Sequence, residues 1–125
     1  MKIKLPICLI LTALLTACVQ KTYTKTVVYT LHLTGPKSAQ TVGIRGNDKP
    51  LNWQSDVAMK RSRTDSLTYR AVVTYQTGYL FTEAKFVVND KFELADQPNR
   101  RVVFSKIDTT FYETTFGELN PDKTN

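Results

Sequence analysis

Apolar and polar residues alternate along residues 26–34, 67–75 and 83–88, as they do in strands that bury one face. Shorter segments at 41–46, 57–60, 101–104 and 109–116 are also predicted to be strands. In the two longest, the faces expected to be buried carry Val27, Tyr29, Leu31 and Leu33, and then Leu67, Tyr69, Ala71, Val73 and Tyr75. No segment of helical length repeats its apolar residues at the period of about 3.6 that a helix requires.

Turn-forming residues separate the runs, among them Gly35-Pro36, Asn47-Asp48 and Thr77-Gly78. Short strands divided by such turns are typical of two packed sheets. The sequence therefore predicts an all-β fold, an antiparallel immunoglobulin-like β-sandwich of seven or eight strands over residues 26–117, followed by a polar tail, 118–125.

One predicted hairpin carries the main functional clue. Asn89-Asp90 is expected to form a two-residue turn, because both residue types tolerate the left-handed backbone that tight hairpins need. The register then pairs Val87 with Phe92. Directly opposed residues share a face of the sheet, so Phe92 is expected beside Lys85. A large aromatic next to a lysine is a plausible start for a binding surface.

The first residues have the features of an export signal. Lys2 and Lys4 precede an apolar stretch, 5–15, which is too short for a membrane helix of about 20 residues. The sequence Leu-Thr-Ala-Cys at 15–18 resembles the lipobox of bacterial lipoproteins. That resemblance implies cleavage after residue 17 and a diacylglycerol on Cys18, with residues 18–25 as a short tether. The alternative is an ordinary secretory signal with a chance cysteine. Resemblance to enterobacterial lipoproteins, in which aspartate after the cysteine is associated with retention in the inner membrane, implies from Val19 that the outer membrane of a bacterial envelope is the location.

Composition limits the chemistry. The chain has 125 residues, enough for one domain, with 17 Lys and Arg against 11 Asp and Glu. This basic excess is compatible with an anionic membrane or glycan surface, although an excess of this size more often only keeps a protein soluble. An exported protein seldom meets nucleic acid. The Arg100-Arg101 pair is expected to be solvated. Once Cys8 leaves and Cys18 is lipidated, no thiol remains for a disulfide, a zinc site or a nucleophile. With His32 the only histidine and no suitably spaced acidic pair, we expect no enzyme activity, metal or cofactor.

Five short stretches resemble, in order, segments of the starch-binding domains, the family-twenty carbohydrate-binding modules. They are residues 42–46 (Val-Gly-Ile-Arg-Gly), 51–53 (Leu-Asn-Trp), 83–86 (Glu-Ala-Lys-Phe), 92–93 (Phe-Glu) and 98–100 (Pro-Asn-Arg). In that family, two aromatic rings flank a curved α-glucan, and polar side chains bond to its hydroxyls. The resemblance implies these roles for the platforms Trp53 and Phe92 and for the polar contacts Lys85, Glu93 and Asn99. It implies a lipid-anchored, non-catalytic module that binds a starch- or glycogen-like polysaccharide.

The sequence also departs from the family pattern. Phe92 stands where the family has tryptophan, Ala84 where it has tyrosine, and two extra residues separate Glu93 from Pro98. The hairpin register places Glu93 on the same face of the sheet as Phe86, whereas Lys85 is on the other face. These departures leave a second hypothesis open: a structural or protein-interaction module of an envelope complex that has lost sugar binding.

Overall fold

The computed structural model describes residues 20–35, 41–119 and the backbone of 123–124. The predicted signal peptide, the predicted lipidation site Cys18 and most of the polar tail lie outside the described residues. The described part contains ten strands: β1 Tyr23–His32, β2 Val42–Gly46, β3 Val57–Ala58, β4 Lys60–Arg61, β5 Thr68–Thr77, β6 Phe81–Val88, β7 Lys91–Phe92, β8 Arg100–Val103, β9 Thr109–Thr115 and β10 Lys123–Thr124.

The strands form two sheets packed face to face, which confirms the all-β sandwich. The first sheet has the order β10-β9-β1-β5-β4, and the second has β3-β2-β6-β7, with β8 also paired to β6. All pairings are antiparallel except one: β1 runs parallel to β9, with Val28 opposite Phe111. The parallel pair joins the first strand of the domain to a strand near the end of the chain. The alternation of apolar and polar residues does not predict this pairing, because it is the same in parallel and antiparallel strands.

The core lies between the sheets and is rich in aromatic side chains. The predicted inward faces of β1 and β5 are confirmed, because Val27, Tyr29 and Tyr75 are fully buried. The second sheet contributes Ile44 and Phe86. The rings of Tyr29 and Phe86 meet edge to face, with centroids 6.1 Å apart, an arrangement that aromatic pairs favour.

The predicted strand 57–60 is in fact two strands in different sheets. β3 pairs with β2, whereas β4 pairs with β5. Met59, between them, is buried in the core. The chain therefore crosses from one sheet to the other at this residue. The start of β1 also differs, since the strand begins at Tyr23 rather than at 26 and shortens the predicted tether. Among the described residues, there is no helix with the length and apolar character needed to cross a membrane.

A buried tyrosine pair connects the first sheet across its core face. The hydroxyls of Tyr29 and Tyr75 lie 2.7 Å apart. Burial raises the pKa of Tyr29 well above its ordinary value, and the neighbouring Tyr75 adds to the effect. Burial likewise raises the pKa of Tyr75, although its hydrogen bond with Tyr29 acts in the opposite direction. Both phenols therefore stay protonated in the folded protein at pH values where an exposed tyrosine ionises.

This pair predicts a loss of stability at alkaline pH. The unfolded chain releases both phenolic protons above pH about 10, whereas the folded chain retains them, so the free energy of unfolding falls as pH rises beyond that value. Urea unfolding between pH 8 and about pH 11 measures the effect. A variant with both Tyr29→Phe and Tyr75→Phe should lose less stability over this interval, and exposed Tyr79→Phe should behave like the parent. Equal alkaline losses in all three proteins would contradict the assignment.

Candidate functional site

The β6–β7 hairpin has the predicted geometry. Asn89 and Asp90 adopt φ angles of 49° and 63°, as a two-residue turn of the type favoured in hairpins requires. Val87 pairs with Phe92 and Val88 with Lys91, which confirms the register. Phe92 therefore shares the outer face of the second sheet with the side chains that alternate outward from β6.

The structure brings Trp53 and Phe92 together on this outer face. Their ring centroids are 6.3 Å apart and their planes are inclined at 51°. Phe92 is 41% exposed, and Trp53 is half-buried. Val87, which lies on the same face of β6, is only 1% exposed, so the outer side chains cover the sheet closely here. Two aromatic rings separated by 39 positions in sequence thus form one surface, called the aromatic patch below.

A tight turn holds Trp53 in place. The side-chain oxygen of Asn52 accepts hydrogen bonds from the backbone N–H groups of Gln54 and Ser55, at 2.9 and 2.8 Å. On the other side of Asn52, the side chain of Leu51 is buried in the core. Because Asn side chains readily close such local turns, the segment presents the indole from a fixed backbone.

Arg45 connects the two rings. Its guanidinium carbon lies 5.1 Å from the centroid of Phe92, and its Nη1 donates to the carbonyl of Trp53 at 3.3 Å. Its Nε forms an ion pair with Asp56 at 2.5 Å. A guanidinium over an aromatic face is an attractive arrangement. Sequence reasoning did not single out Arg45, although the alternation of β2 places it outward, directly opposite Lys85.

Gly43 makes room for the acidic partner in this ion pair. A Cβ atom at position 43 would come within 2.7 Å of the Cβ of Asp56, closer than real Cβ atoms approach. The absence of a side chain at Gly43 therefore lets Asp56 lie over β2. From there its carboxylate reaches Arg45. Gly43 therefore contributes to the aromatic patch as well as to β2, because it leaves the space that Asp56 occupies.

Lys85 lies beside the patch and supports the loop that follows β7. Its ammonium donates to the carbonyls of Leu94 and Gln97, both at 2.9 Å. This loop, 93–99, separates β7 from β8 along the same edge of β6, and Leu94 and Asp96 adopt φ angles of 50° and 62°. An ammonium has three donors, and the two carbonyls engage two of them. Lys85 fixes the loop while its charge stays at the edge of the patch.

Asn99 lies at the exposed end of this loop. Its side-chain nitrogen donates to Glu83 at 3.2 Å, and Glu83 is on the same outward row of β6 as Lys85. Asn99 is exposed. The structure therefore places Asn99 on the same side of the sheet as Lys85, as the sequence predicts for two side chains of one surface.

Glu93 is the exception among the predicted contacts. It is 2% exposed, and its carboxylate accepts hydrogen bonds from Arg100 Nε at 2.6 Å and Nη2 at 2.9 Å. The same carboxylate accepts from the backbone N–H groups of Phe86 at 3.0 Å and Gly117 at 2.9 Å. Glu93 is therefore an interior residue and not a surface contact, as the hairpin register indicated and the family resemblance did not.

Arg100 is correspondingly buried, so the expectation that it is a solvated loop charge is wrong. Besides Glu93 it binds Thr114 Oγ1 at 2.9 Å and the carbonyls of Thr115 and Glu118 at 3.0 and 2.9 Å. Burial by itself lowers the pKa of the guanidinium, but the hydrogen bonds and charge of Glu93 outweigh it and raise the pKa above its ordinary value. Arg100 stays charged. Because it belongs to β8 and bonds to Thr114 and Thr115 of β9, it joins the two sheets.

Ala84, which stands where the family pattern has tyrosine, does not lie at the aromatic patch. Ala84 is 1% exposed and lies in the core, on the opposite side of β6 from Lys85. Alanine in place of tyrosine at this position therefore alters the packing between the sheets and leaves the aromatic patch unchanged.

Among the described residues, no three His, Cys, Asp or Glu side chains are grouped so that they could hold a metal ion.

The fold and the patch together define a β-sandwich with a surface pair of aromatic rings edged by Arg45, Asp56 and Lys85. The sequence matches no protein-family model, and a search of curated proteins gives no significant match.

Proposed function

We propose that this protein is a lipid-anchored, non-catalytic carbohydrate-binding module that holds an α-glucan, of starch or glycogen type, at the bacterial envelope. The observation that carries the proposal is the aromatic patch, where Trp53 and Phe92 meet at 6.3 Å on an exposed face. The ordered resemblance over residues 42–100 supports the same conclusion.

The rings supply the main contacts. A pyranose presents a face of C–H groups that can lie on a flat aromatic ring, and each such contact contributes about 1 kcal/mol. Because the planes of Trp53 and Phe92 are inclined at 51°, they suit two sugar units of a curved chain better than a flat, extended one. A few contacts of this size correspond to binding in the roughly micromolar to millimolar range.

Polar groups at the edge fix the orientation of the sugar. Lys85 and Asn99 lie on the same side of the sheet as the rings, and Arg45, paired with Asp56, lies over the ring of Phe92. Such groups bond to hydroxyls and disfavour ligands that leave them unpaired. Glu93 is not part of the proposed site, because its carboxylate is buried and bonded to Arg100. The function is retention: the protein keeps polysaccharide close to envelope proteins that degrade or import it.

Affinity electrophoresis tests the proposal directly. The protein should migrate more slowly in native gels cast with starch or glycogen than in blank gels, and free maltooligosaccharide should restore its mobility. A glycan array then identifies the preferred polysaccharide. Mobility in the glucan gels equal to that in the blank gel would refute α-glucan binding.

A second candidate function rests on a different surface. Val28 of β1 pairs with Val72 of β5 on one side and with Phe111 of β9 on the other. Val72 and Phe111 are exposed, so an apolar row crosses the outer face of the first sheet. This row suits an envelope protein partner. Capture of a defined partner by the lipidated protein, and its loss in Phe111→Lys, would favour this function; capture that Phe111→Lys leaves intact would count against it.

A further inference from the structure

The end of the sandwich where β1 begins has an unusual surface. β5 and β8 end there and β6 and β9 begin there, so residues 20–22, the loop 78–80 and the loop 104–108 come together. A Cβ at position 78 would lie 2.9 Å from the carbonyl oxygen of Lys21, so Gly78 allows the incoming chain to pass close to the loop. A groove of about 700 Å³ separates these segments.

Large apolar side chains are exposed on these segments. Tyr23 is 51% exposed, Tyr79 63%, Leu80 81% and Ile107 69%. Tyr23, Tyr79 and Leu80 line the groove itself, and Ile107 lies in the loop between Lys106 and Asp108, which also line it. These four residues are called the basal surface below. Four such side chains on one end of so small a domain indicate a surface that is covered in use.

The loop that carries Ile107 is held firmly. Lys25 donates through its ammonium to the carbonyls of Ser105 and Ile107, at 3.1 and 3.3 Å. The hydroxyl of Ser105 donates to the carbonyl of Thr109 at 2.8 Å. Ile107 is therefore displayed to solvent by a bonded loop and is not exposed through lack of contacts.

The basal surface is edged by positive charge. Lys21 places its ammonium 5.6 Å from the centroid of the Tyr23 ring, and Lys106 is exposed beside Ile107. Among the residues lining the groove, Asp108 is the acidic one, against Lys25 and Lys106. Aromatic and aliphatic side chains with lysines around them have the composition of a surface that contacts anionic lipid headgroups.

The sequence brings this surface close to a bilayer. Cys18, predicted to carry the lipid, precedes Tyr23 by five positions, and an extended chain advances only about 3.3–3.6 Å per residue. The lipid-bearing residue is thus within about 18 Å of the first strand. A domain tethered so briefly at this end must keep the same end toward the membrane.

We propose that the basal surface docks on the anionic headgroups of the membrane that holds the lipid of Cys18. Docking sets the orientation of the whole domain. β6 begins at the basal surface and runs eight residues to the hairpin, a rise of about 26 Å at roughly 3.3 Å per residue. The aromatic patch beside the hairpin then lies toward the end of the domain that is farther from the bilayer, where a polysaccharide can reach it. The inference rests on the predicted lipidation and not on glycan binding.

Spin-label accessibility tests the docking. The full chain is expressed in bacteria, isolated with its lipid and reconstituted into vesicles of phosphatidylethanolamine and phosphatidylglycerol. One nitroxide is attached at Leu80→Cys and, as the matched control, another at Lys91→Cys on the hairpin. Both positions are exposed, so both variants should fold. We expect a water-soluble nickel complex to relax the label at position 80 several-fold less than the label at 91, and Lys21→Glu with Lys106→Glu to reduce that difference.

Equal accessibility at positions 80 and 91 would overturn the docking, as would a protein that carries no lipid and does not stay on the vesicles. No sugar enters the measurement. A negative result in the glucan gels therefore leaves it unaffected, and its own failure leaves glycan binding standing.

Discussion

Replacing Arg100 with methionine is expected to lower the free energy of unfolding by about 3–5 kcal/mol, the usual cost of removing one partner from a buried ion pair. The substitution leaves the carboxyl group of Glu93, which is 2% exposed, without its arginine partner. It also removes the donors that bond to Thr114 and to the carbonyls of Thr115 and Glu118. Urea unfolding at neutral pH measures the change.

The neighbouring arginine provides the control. Arg101 is exposed and stacks on Phe81, with its guanidinium carbon 3.7 Å from the ring centroid. Arg101→Met keeps the aliphatic contact with the ring, so it should change the free energy of unfolding by less than about 1 kcal/mol. A double variant with Glu93→Leu and Arg100→Met should recover part of the loss, because no lone buried charge remains. If Arg100→Met cost no more than Arg101→Met, the buried pair would not be a main support of the fold.

Replacing Trp53 with alanine is expected to eliminate retention in glucan gels. Tryptophans at the centre of binding surfaces often contribute about 2 kcal/mol or more, a loss of roughly thirtyfold in affinity. A ligand bound in the millimolar range would then escape detection. The ring is half-buried on the outer face and lies outside the core, so the variant should still fold, which circular dichroism and urea unfolding can verify.

Tyr79→Ala is the matched control for Trp53→Ala, because it removes an exposed aromatic from the basal surface and leaves the aromatic patch intact. It should migrate like the parent protein in every gel. Retention in Trp53→Ala that equals that of the parent, or a loss of retention that is equal in Tyr79→Ala, would mean that the glucan does not bind at the patch.

Local patterns in the sequence were sufficient to predict most of the strands and the hairpin. Alternation identified the buried faces of β1 and β5, and the Asn89-Asp90 turn fixed the register that brings Phe92 to its position. Both features depend on neighbours within a few residues of each other. The pairing of Trp53 with Phe92 was implied by family resemblance alone, since no local rule relates residues so distant in sequence.

The features that were missed all depend on long-range contacts. The parallel alignment of β1 with β9 depends on contacts between two strands that lie far apart in the sequence. Arg100 looked like a solvated loop charge, because its acidic partner is seven positions away and its other partners come from β9 and the segment after it. In the sequence, Arg45 is one charge in a short strand, and its role depends on Asp56, which lies over Gly43.

Fluorescence of Trp53 tests the central claim most directly, because this residue is the single tryptophan of the chain and so reports on the proposed site alone. Titration with maltoheptaose should change its emission in a saturable way, with a midpoint in the roughly micromolar to millimolar range. The change should be lost in Phe92→Ala. An emission spectrum that stays constant throughout the titration would contradict the proposal that an α-glucan binds on these two rings.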